Sequence, residues 1–112
     1  MAEIHSIFFE SIPSTNTYAK ENINSLALPA LIIANGQTAG RGRQGKSFFS
    51  PSDTGLYMTL VFEAPKNCNL LTPAAAVKVC NVLKKYGADP KIKWVNDIFV
   101  DRRKICGILT EC

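Results

Sequence analysis

The segment from residue 35 to residue 55 constrains the fold more than any other part of this chain of 112 residues. It contains five glycines and three basic residues without apolar periodicity, whereas apolar runs precede and follow it. Loops beyond roughly 12–15 residues are uncommon in compact domains and tend to be binding loops or lids. The pattern therefore predicts a long functional loop between two strands.

The apolar runs elsewhere predict a mixture of strands and helices. Strands are expected at residues 6–9, 31–34, 56–62, 91–95, 98–100 and 105–109, with the second buried on both sides and with turns at Asn96-Asp97 and Asp101-Arg102. This order ends in an antiparallel meander. The expected fold is therefore α+β.

Two helices are expected between these strands. The first begins at Ser14 or Thr15, either of which can cap its first amides, and has an apolar face of Tyr18, Ala19, Ile23 and Leu26. The second begins at Thr72 as a cap, with proline next, and ends at Gly87.

Composition and charge exclude several classes of protein. Apolar residues make up 46% and charged residues 20%, which is typical of a folded domain and excludes wholesale disorder. The net charge is +4, and the basic residues are clustered at Arg41, Arg43, Lys46, Lys91, Lys93, Arg102, Arg103 and Lys104. Clustered positive charge predicts an anionic ligand, and phosphate is the first candidate.

Cysteine, histidine and hydropathy patterns indicate the compartment. The four cysteines lie far apart with no C-x-x-C, and the single histidine provides no zinc-type set, so reduced thiols are expected. No apolar run is long enough for a membrane span and no signal peptide is recognised. The expected location is the cytoplasm, without membrane association.

The most distinctive segment is Gly40-Arg41-Gly42-Arg43-Gln44-Gly45-Lys46. Glycine permits close approach of backbone amides, and arginine binds phosphate oxygens bidentately, so the segment suits an anion. It matches neither the P-loop nor the dinucleotide fingerprint. A solvated flexible loop or a nucleic-acid contact would have the same composition.

Three other segments have ordinary structural explanations beside any functional one. Ser14-Thr15-Asn16 would cap a helix. Within Lys93-Trp94-Val95-Asn96-Asp97, Asn-Asp is common turn chemistry and the tryptophan is more often core than platform. Lys104 would ordinarily be a surface residue.

Together and in this order, these segments resemble the biotin protein ligases. The resemblance covers nearly the whole chain. It rests on Ser14-Thr15-Asn16, on residues 37–46, on Phe48-Phe49-Ser50-Pro51, on Gly55-Leu56-Tyr57, on Lys93-Trp94-Val95-Asn96-Asp97 and on residues 103–111. Val95 stands where the family usually has proline, Lys46 where it has arginine, and Phe48 where it often has tryptophan.

The resemblance implies a two-step reaction, in which biotin is activated by ATP with Mg²⁺ and then transferred to a lysine of a biotin carboxyl carrier protein. Catalytic residues implied by the family are Lys104, Arg41 and Arg43. Biotin-binding residues implied are Ser14, Thr15, Asn16, Gln37, Gly40, Arg41, Gly42, Arg43, Lys104 and Gly107. Nucleotide-binding residues implied are Arg41, Arg43, Lys46, Phe48, Asn96 and Asp97, with Asp97 also the metal-related carboxylate.

The resemblance also implies an architecture. We expect a mixed or antiparallel sheet with helices packed on one face, as in biotin and lipoate ligases and class II aminoacyl-tRNA synthetases. Residues 1–112 would be a truncated part of that catalytic domain, without an N-terminal helix-turn-helix, a DNA-binding domain or a C-terminal β-barrel. A second copy or a companion chain would pair along the exposed sheet edge.

Two alternatives remain beside an active ligase. One is a noncatalytic protein that binds biotin or its adenylate, or a half-domain that needs a partner chain. The other is a small basic nucleic-acid binder that uses the glycine and arginine loop, whose affinity would fall steeply with salt.

Overall fold

The computed structural model describes residues 3–112, and the chain divides into two compact units, Met1–Glu63 and Ala64–Cys112. The first unit contains β1 (His5–Phe9), α1 (Thr15–Glu21), β2 (Ala30–Ala34), a 3-10 turn (Arg43–Gly45) and β3 (Tyr57–Val61). The second contains a 3-10 turn (Cys68–Leu70), α2 (Leu71–Lys85), β4 (Lys91–Lys93), β5 (Asp97–Val100) and β6 (Arg103–Gly107). This mixture confirms the predicted α+β class.

The first unit is a three-stranded mixed sheet covered by α1. The strand order is β1-β2-β3, with β1 parallel to β2 and β2 antiparallel to β3. Its core consists of Ala19, Ala30 and Ile32, against which Phe9, Tyr18, Leu26 and Val61 pack. Helix α1 therefore buries one face of this sheet.

The opposite face of this sheet is less covered than the sequence predicted. Ala30, Ile32 and Ala34 are buried, but the alternate side chains of β2 are only half-buried, so the expectation of burial on both sides is wrong. In and beside β3, alternate apolar residues form an exposed row, which consists of Leu56, Met58, Leu60 and Phe62. The other side of β3, which includes Thr59 and Val61, faces α1.

Helix α1 begins as predicted and ends early. Ser14 caps it by accepting a 3.2 Å hydrogen bond from the Thr17 N–H. The side chain of Asn22 donates to the Tyr18 carbonyl at 2.9 Å and closes the last turn. Ile23 therefore lies beyond the helix and is exposed, which corrects the longer helix expected.

The second unit packs α2 on an antiparallel meander. The sheet order is β4-β5-β6, and its core is Ala76, Cys80 and Ile98. Two boundaries differ from expectation. Helix α2 begins at Leu71, so Thr72 is not its cap and instead contacts Thr110, with 2.7 Å between the two Oγ1 atoms. The first turn of the meander lies at residues 94–96, so Asp97 begins β5.

The turns that follow α2 and β5 lie where the sequence placed them. Gly87 follows α2 with φ 87°, a left-handed conformation that glycine adopts without strain. Asp101 and Arg102 form the β5–β6 turn with φ 50° and 66°. Among the described residues, no helix is both long and apolar enough to cross a membrane.

Candidate functional site

In the first unit, the side chain of Gln37 joins the start of α1 to the end of the long loop. Its Oε1 accepts from the Thr15 backbone N–H at 2.8 Å and from the Thr15 hydroxyl at 3.2 Å. Its Nε2 donates to Ser50 Oγ at 3.0 Å. Because a backbone N–H can only donate, Oε1 must face Thr15, and the orientation of the amide is fixed.

Ser50 continues this chain of hydrogen bonds into the loop backbone. It is buried, with 4% of its surface exposed, and its hydroxyl donates to the Phe48 carbonyl at 2.9 Å. Its own carbonyl accepts from the Gln37 N–H at 3.0 Å. The two ends of the glycine-rich segment are thereby tied together.

Thr59, on β3, completes what we call the polar network, which is Thr15, Asn16, Gln37, Ser50 and Thr59. Its Oγ1 lies 2.7 Å from Thr15 Oγ1 and also contacts Asn16 Oδ1. Neither Thr59 nor a role for Ser50 was predicted from the sequence. The signal for Thr59 was available, since it is a polar residue on the side of β3 opposite the apolar row.

The segment expected to be an irregular loop contains a tight hairpin at residues 40–48, called the hairpin below. Phe48 donates its N–H to the Gly40 carbonyl at 2.8 Å, and Gly42 donates to the Lys46 carbonyl at 2.7 Å. Gln44 and Gly45 turn the chain at the tip with φ 59° and 73°. The backbone hydrogen bonds fix the spacing between its basic residues.

Gly40 is required by the close approach of the two arms of the hairpin. A Cβ atom at this position would lie 2.4 Å from the Phe48 carbonyl oxygen and 2.5 Å from Ser50 Oγ. At Gly42 the nearest such atom, the Lys46 carbonyl oxygen, is 3.6 Å away, an ordinary contact. The two glycines therefore have different structural roles, which their spacing did not reveal.

The three cations of the hairpin are held differently. Arg41 is half-buried and donates from Nε to Thr17 Oγ1 at 3.1 Å, which ties it to α1. Arg43 and Lys46 are exposed at the tip. Three positive charges on one short hairpin create a local attraction for anions.

In the second unit, Lys104 and Asp97 form an ion pair across β5 and β6. Lys104 Nζ lies 3.0 Å from Asp97 Oδ1, and the two side chains are 40% and 21% exposed. This Asp97 oxygen is buried, and among residues 3–112 no partner meets it with the geometry of a hydrogen bond. Gly107 lies opposite Asp97 in the strand register.

The turn before β5 is built around Asn96. Its side chain is buried, and its backbone carbonyl accepts from the Ile108 N–H at 2.9 Å. Trp94, in the same turn, is 76% exposed, so it does not belong to the core of this unit. This turn therefore contains a buried amide side chain, and its backbone is hydrogen-bonded to the residue that follows β6.

The residues described by the structure include no group of three or more histidine, cysteine, aspartate or glutamate side chains that could hold a metal ion. Asp97 is a single carboxylate already paired with Lys104. It fits a magnesium ion held mainly by phosphate oxygens and water, since such ions use only one or two carboxylates.

All four cysteines are free thiols, as predicted. Burial raises the pKa of the Cys106 thiol, with a further rise from nearby Cys80 that Lys104 opposes. Cys106 therefore stays protonated at neutral pH and is a poor nucleophile, although it lies on the same strand as Lys104.

The structure thus brings the predicted residues together in two sets. The first unit holds Ser14 as a helix cap, the polar network and the hairpin that carries Gly40, Arg41, Gly42, Arg43, Lys46 and Phe48. The second unit holds Asn96, Asp97, Lys104 and Gly107. Each unit is an α+β arrangement and holds its own part of the predicted site residues.

The chain belongs to the biotin/lipoate A/B protein ligase family, whose model matches residues 8–112. It is 38% identical over 104 residues to the bifunctional ligase/repressor BirA of Escherichia coli, an alignment that covers 89% of this chain and 32% of the relative. The corresponding protein of Bacillus subtilis is 35% identical over 112 residues, covering 96% and 34%.

Solved structures of biotin protein ligases have the same fold. The biotin acetyl coenzyme A carboxylase synthetase of Helicobacter pylori with bound biotinylated ATP matches with a TM-score of 0.82 and 30% identity, over 98% of this chain and 56% of that one. The biotin protein ligase of Aquifex aeolicus in complex with biotin and ATP matches with a TM-score of 0.87 and 26% identity, over 96% and 47%. The chain spans about a third of the curated relatives' length.

Proposed function

We propose that this chain carries the biotin-binding and adenylate-binding elements of a biotin protein ligase. The observation that carries the proposal is the polar network joined to a cationic hairpin. Family members with this fold have been solved with biotin and ATP bound. The network offers fixed donors and acceptors to a small polar group, and the hairpin offers positive charge to a phosphate.

Biotin would be held through its ureido ring and its carboxylate. Thr15, Asn16 and Gln37 supply hydroxyl and amide groups at fixed positions for the ring, and Ser14 fixes the helix start beside them. Gly40 and Gly42 leave the hairpin backbone without side chains that would obstruct a ligand. Gly107 is proposed to do the same on β6.

The nucleotide would be held by charge and stacking. Arg41, Arg43 and Lys46 are proposed to neutralise the phosphates, and Phe48 to pack against adenine. Asn96 and Asp97 are proposed to face the nucleotide. When Mg²⁺ is bound with ATP, it would neutralise charge on the departing pyrophosphate, and Asp97 would be its protein carboxylate.

The proposed reaction has two steps. The biotin carboxylate oxygen bonds to the α-phosphorus of ATP and pyrophosphate leaves; the amine of an acceptor lysine then attacks the acyl carbon and AMP leaves. Lys104, Arg41 and Arg43 are the proposed catalytic residues, because positive charge reduces the repulsion between carboxylate and phosphate in the first step. A lysine of a biotin carboxyl carrier protein is the proposed acceptor.

Calorimetry and pyrophosphate release test this function on the chain itself. We expect heat on adding biotin and pyrophosphate release when biotin, ATP and magnesium are all present, with carrier-protein labelling as the second readout. Biotin binding without pyrophosphate release would instead support a noncatalytic binder. The absence of both binding heat and pyrophosphate release would refute both the ligase and the noncatalytic binder. Pairing of another chain along β6, an edge of its sheet, remains a prediction for sedimentation analysis.

A further inference from the structure

We infer that Thr59 is a positioning residue that holds Thr15 and Asn16 in the arrangement needed to recognise the ureido group of biotin. The inference rests on the proposed function and deepens it, because it assigns a role to a residue outside the segments that carry the family resemblance. It concerns a hydroxyl that acts through its neighbours.

The backbone fixes where Thr59 lies. In the register of the sheet it is opposite Ile32, whose side chain is completely buried, so β3 cannot shift at this point without disturbing the core. Its side chain faces α1 and contacts two successive residues of the first helical turn, Thr15 and Asn16. Thr59 is thus a rigid support on a strand for groups on a helix.

The single hydroxyl proton of Thr59 limits how its neighbours can be oriented. The hydroxyl of Thr59 has one proton but two oxygen neighbours, Thr15 Oγ1 and Asn16 Oδ1. If Thr15 donates to Gln37, the Thr59 proton goes to Thr15, and the Asn16 amide must turn its NH₂ toward Thr59. If Thr15 donates to Thr59, the Thr59 proton goes to the Asn16 carbonyl.

Both arrangements make the orientation of the Asn16 amide depend on the Thr59 hydroxyl. They also link that orientation to Gln37, whose own amide is fixed by the Thr15 backbone N–H. A cyclic urea has N–H donors and a carbonyl acceptor, so recognition requires donors and acceptors of defined orientation. Thr59 supplies that definition through its contacts with Thr15 and Asn16.

The test is biotin binding by calorimetry with Thr59→Val, which keeps the β-branched shape and removes the hydroxyl. We expect the Kd for biotin to rise about tenfold, the cost of leaving polar groups of a partly buried network without a partner. ATP binding should be unchanged. Thr59→Ser, which retains the hydroxyl, should bind biotin about as well as the wild type.

Thr54→Val is the matched control. It removes an exposed hydroxyl that donates to the Pro51 carbonyl and makes no other hydrogen bond given for residues 3–112. It should leave the Kd unchanged. A double-mutant cycle with Thr15→Val supplies the readout that a merely structural role would not move: the two effects should be strongly non-additive. If Thr59→Val does not fold, Thr59→Ala takes its place in the cycle.

Normal biotin affinity in a folded variant without the hydroxyl would overturn the role of Thr59 while leaving the proposed function intact. Equal weakening by the serine and valine variants would also overturn it. No binding of biotin by the wild-type chain would overturn both the proposed function and the inference.

Discussion

The backbone N–H of Thr15 donates to the side-chain carbonyl of Gln37 at 2.8 Å, across 22 residues of sequence. The same side chain donates to Ser50 at 3.0 Å. One amide therefore connects the first helix to both ends of the glycine-rich segment. The basic hairpin lies between these two ends.

Gln37→Glu should weaken this connection. A carboxylate oxygen would replace Nε2 opposite Ser50 Oγ, whose proton is donated to the Phe48 carbonyl, so an acceptor would face an acceptor. We expect a loss of about 1–3 kcal/mol in the free energy of unfolding, measured with urea, and weaker biotin binding. Gln44→Glu makes the same change of charge at the exposed tip and should leave stability and biotin binding nearly unchanged. An equal effect of Gln37→Glu and Gln44→Glu would count against the connecting role of Gln37.

Gly40→Ala and Gly42→Ala should differ although the two glycines are separated by one residue. The first places a methyl group 2.4 Å from the Phe48 carbonyl oxygen, and the second makes only ordinary contacts. We expect Gly40→Ala to cost about 1–3 kcal/mol of stability and Gly42→Ala less than about 0.5 kcal/mol. Urea unfolding of both variants measures this, and the reverse order would contradict the packing described at Gly40.

Lys104→Gln should suppress pyrophosphate release with biotin, ATP and magnesium. The substitution removes the proposed charge stabilisation and leaves the buried oxygen of Asp97 without its cation. We expect a fall of roughly tenfold or more in the rate, the scale of removing one electrostatic contact from a transition state. Lys78→Gln, on the exposed side of α2, is the control, and a rate equal to that control would remove Lys104 from the proposed mechanism.

Arg43→Gln should affect retention of the adenylate more than its formation. Arg43 is exposed at the tip of the hairpin, whereas Arg41 is tied to Thr17 at 3.1 Å, so the tip arginine has a position suited to closing over a bound anion. We expect faster dissociation of the biotin adenylate in a rapid-filtration assay. Arg102→Gln, on the β5–β6 turn, is the control, and the adenylate should dissociate from it at the wild-type rate. An unchanged rate of adenylate dissociation from Arg43→Gln would exclude the role of Arg43 in retaining the adenylate.

Alkylation of Cys106 should require a higher pH in the folded protein than in the unfolded chain. Burial raises its pKa, so the folded state holds the thiol proton more tightly. By linkage, its contribution to stability is complete below the ordinary thiol pKa and is lost as the pH rises through the raised value. Mass spectrometry of iodoacetamide labelling against pH, with and without denaturant, measures the difference; coincident profiles would contradict the burial effect.

The local elements were the most predictable part of the fold. The Ser14 cap, Gly87 after α2 and the turn at Asp101 and Arg102 depend on interactions between near neighbours, which sequence patterns capture. The end of α1 was less predictable, because the Asn22 side chain closes the helix before its apolar pattern stops. Burial of β2 was also misjudged, since a continuous apolar run does not say whether one face of the strand or both are covered.

For the candidate site, the sequence by itself determined the chemical groups and their order: the basic residues, the glycines between them and the polar residues at the start of α1. Only the tertiary structure decided how these groups are oriented. Thr59 and Ser50 entered the site because strand pairing and the hairpin bring residues distant in sequence within hydrogen-bonding distance. Gly40 became distinct from Gly42 for the same reason, since steric demand depends on which backbone atoms lie opposite and not on spacing along the chain.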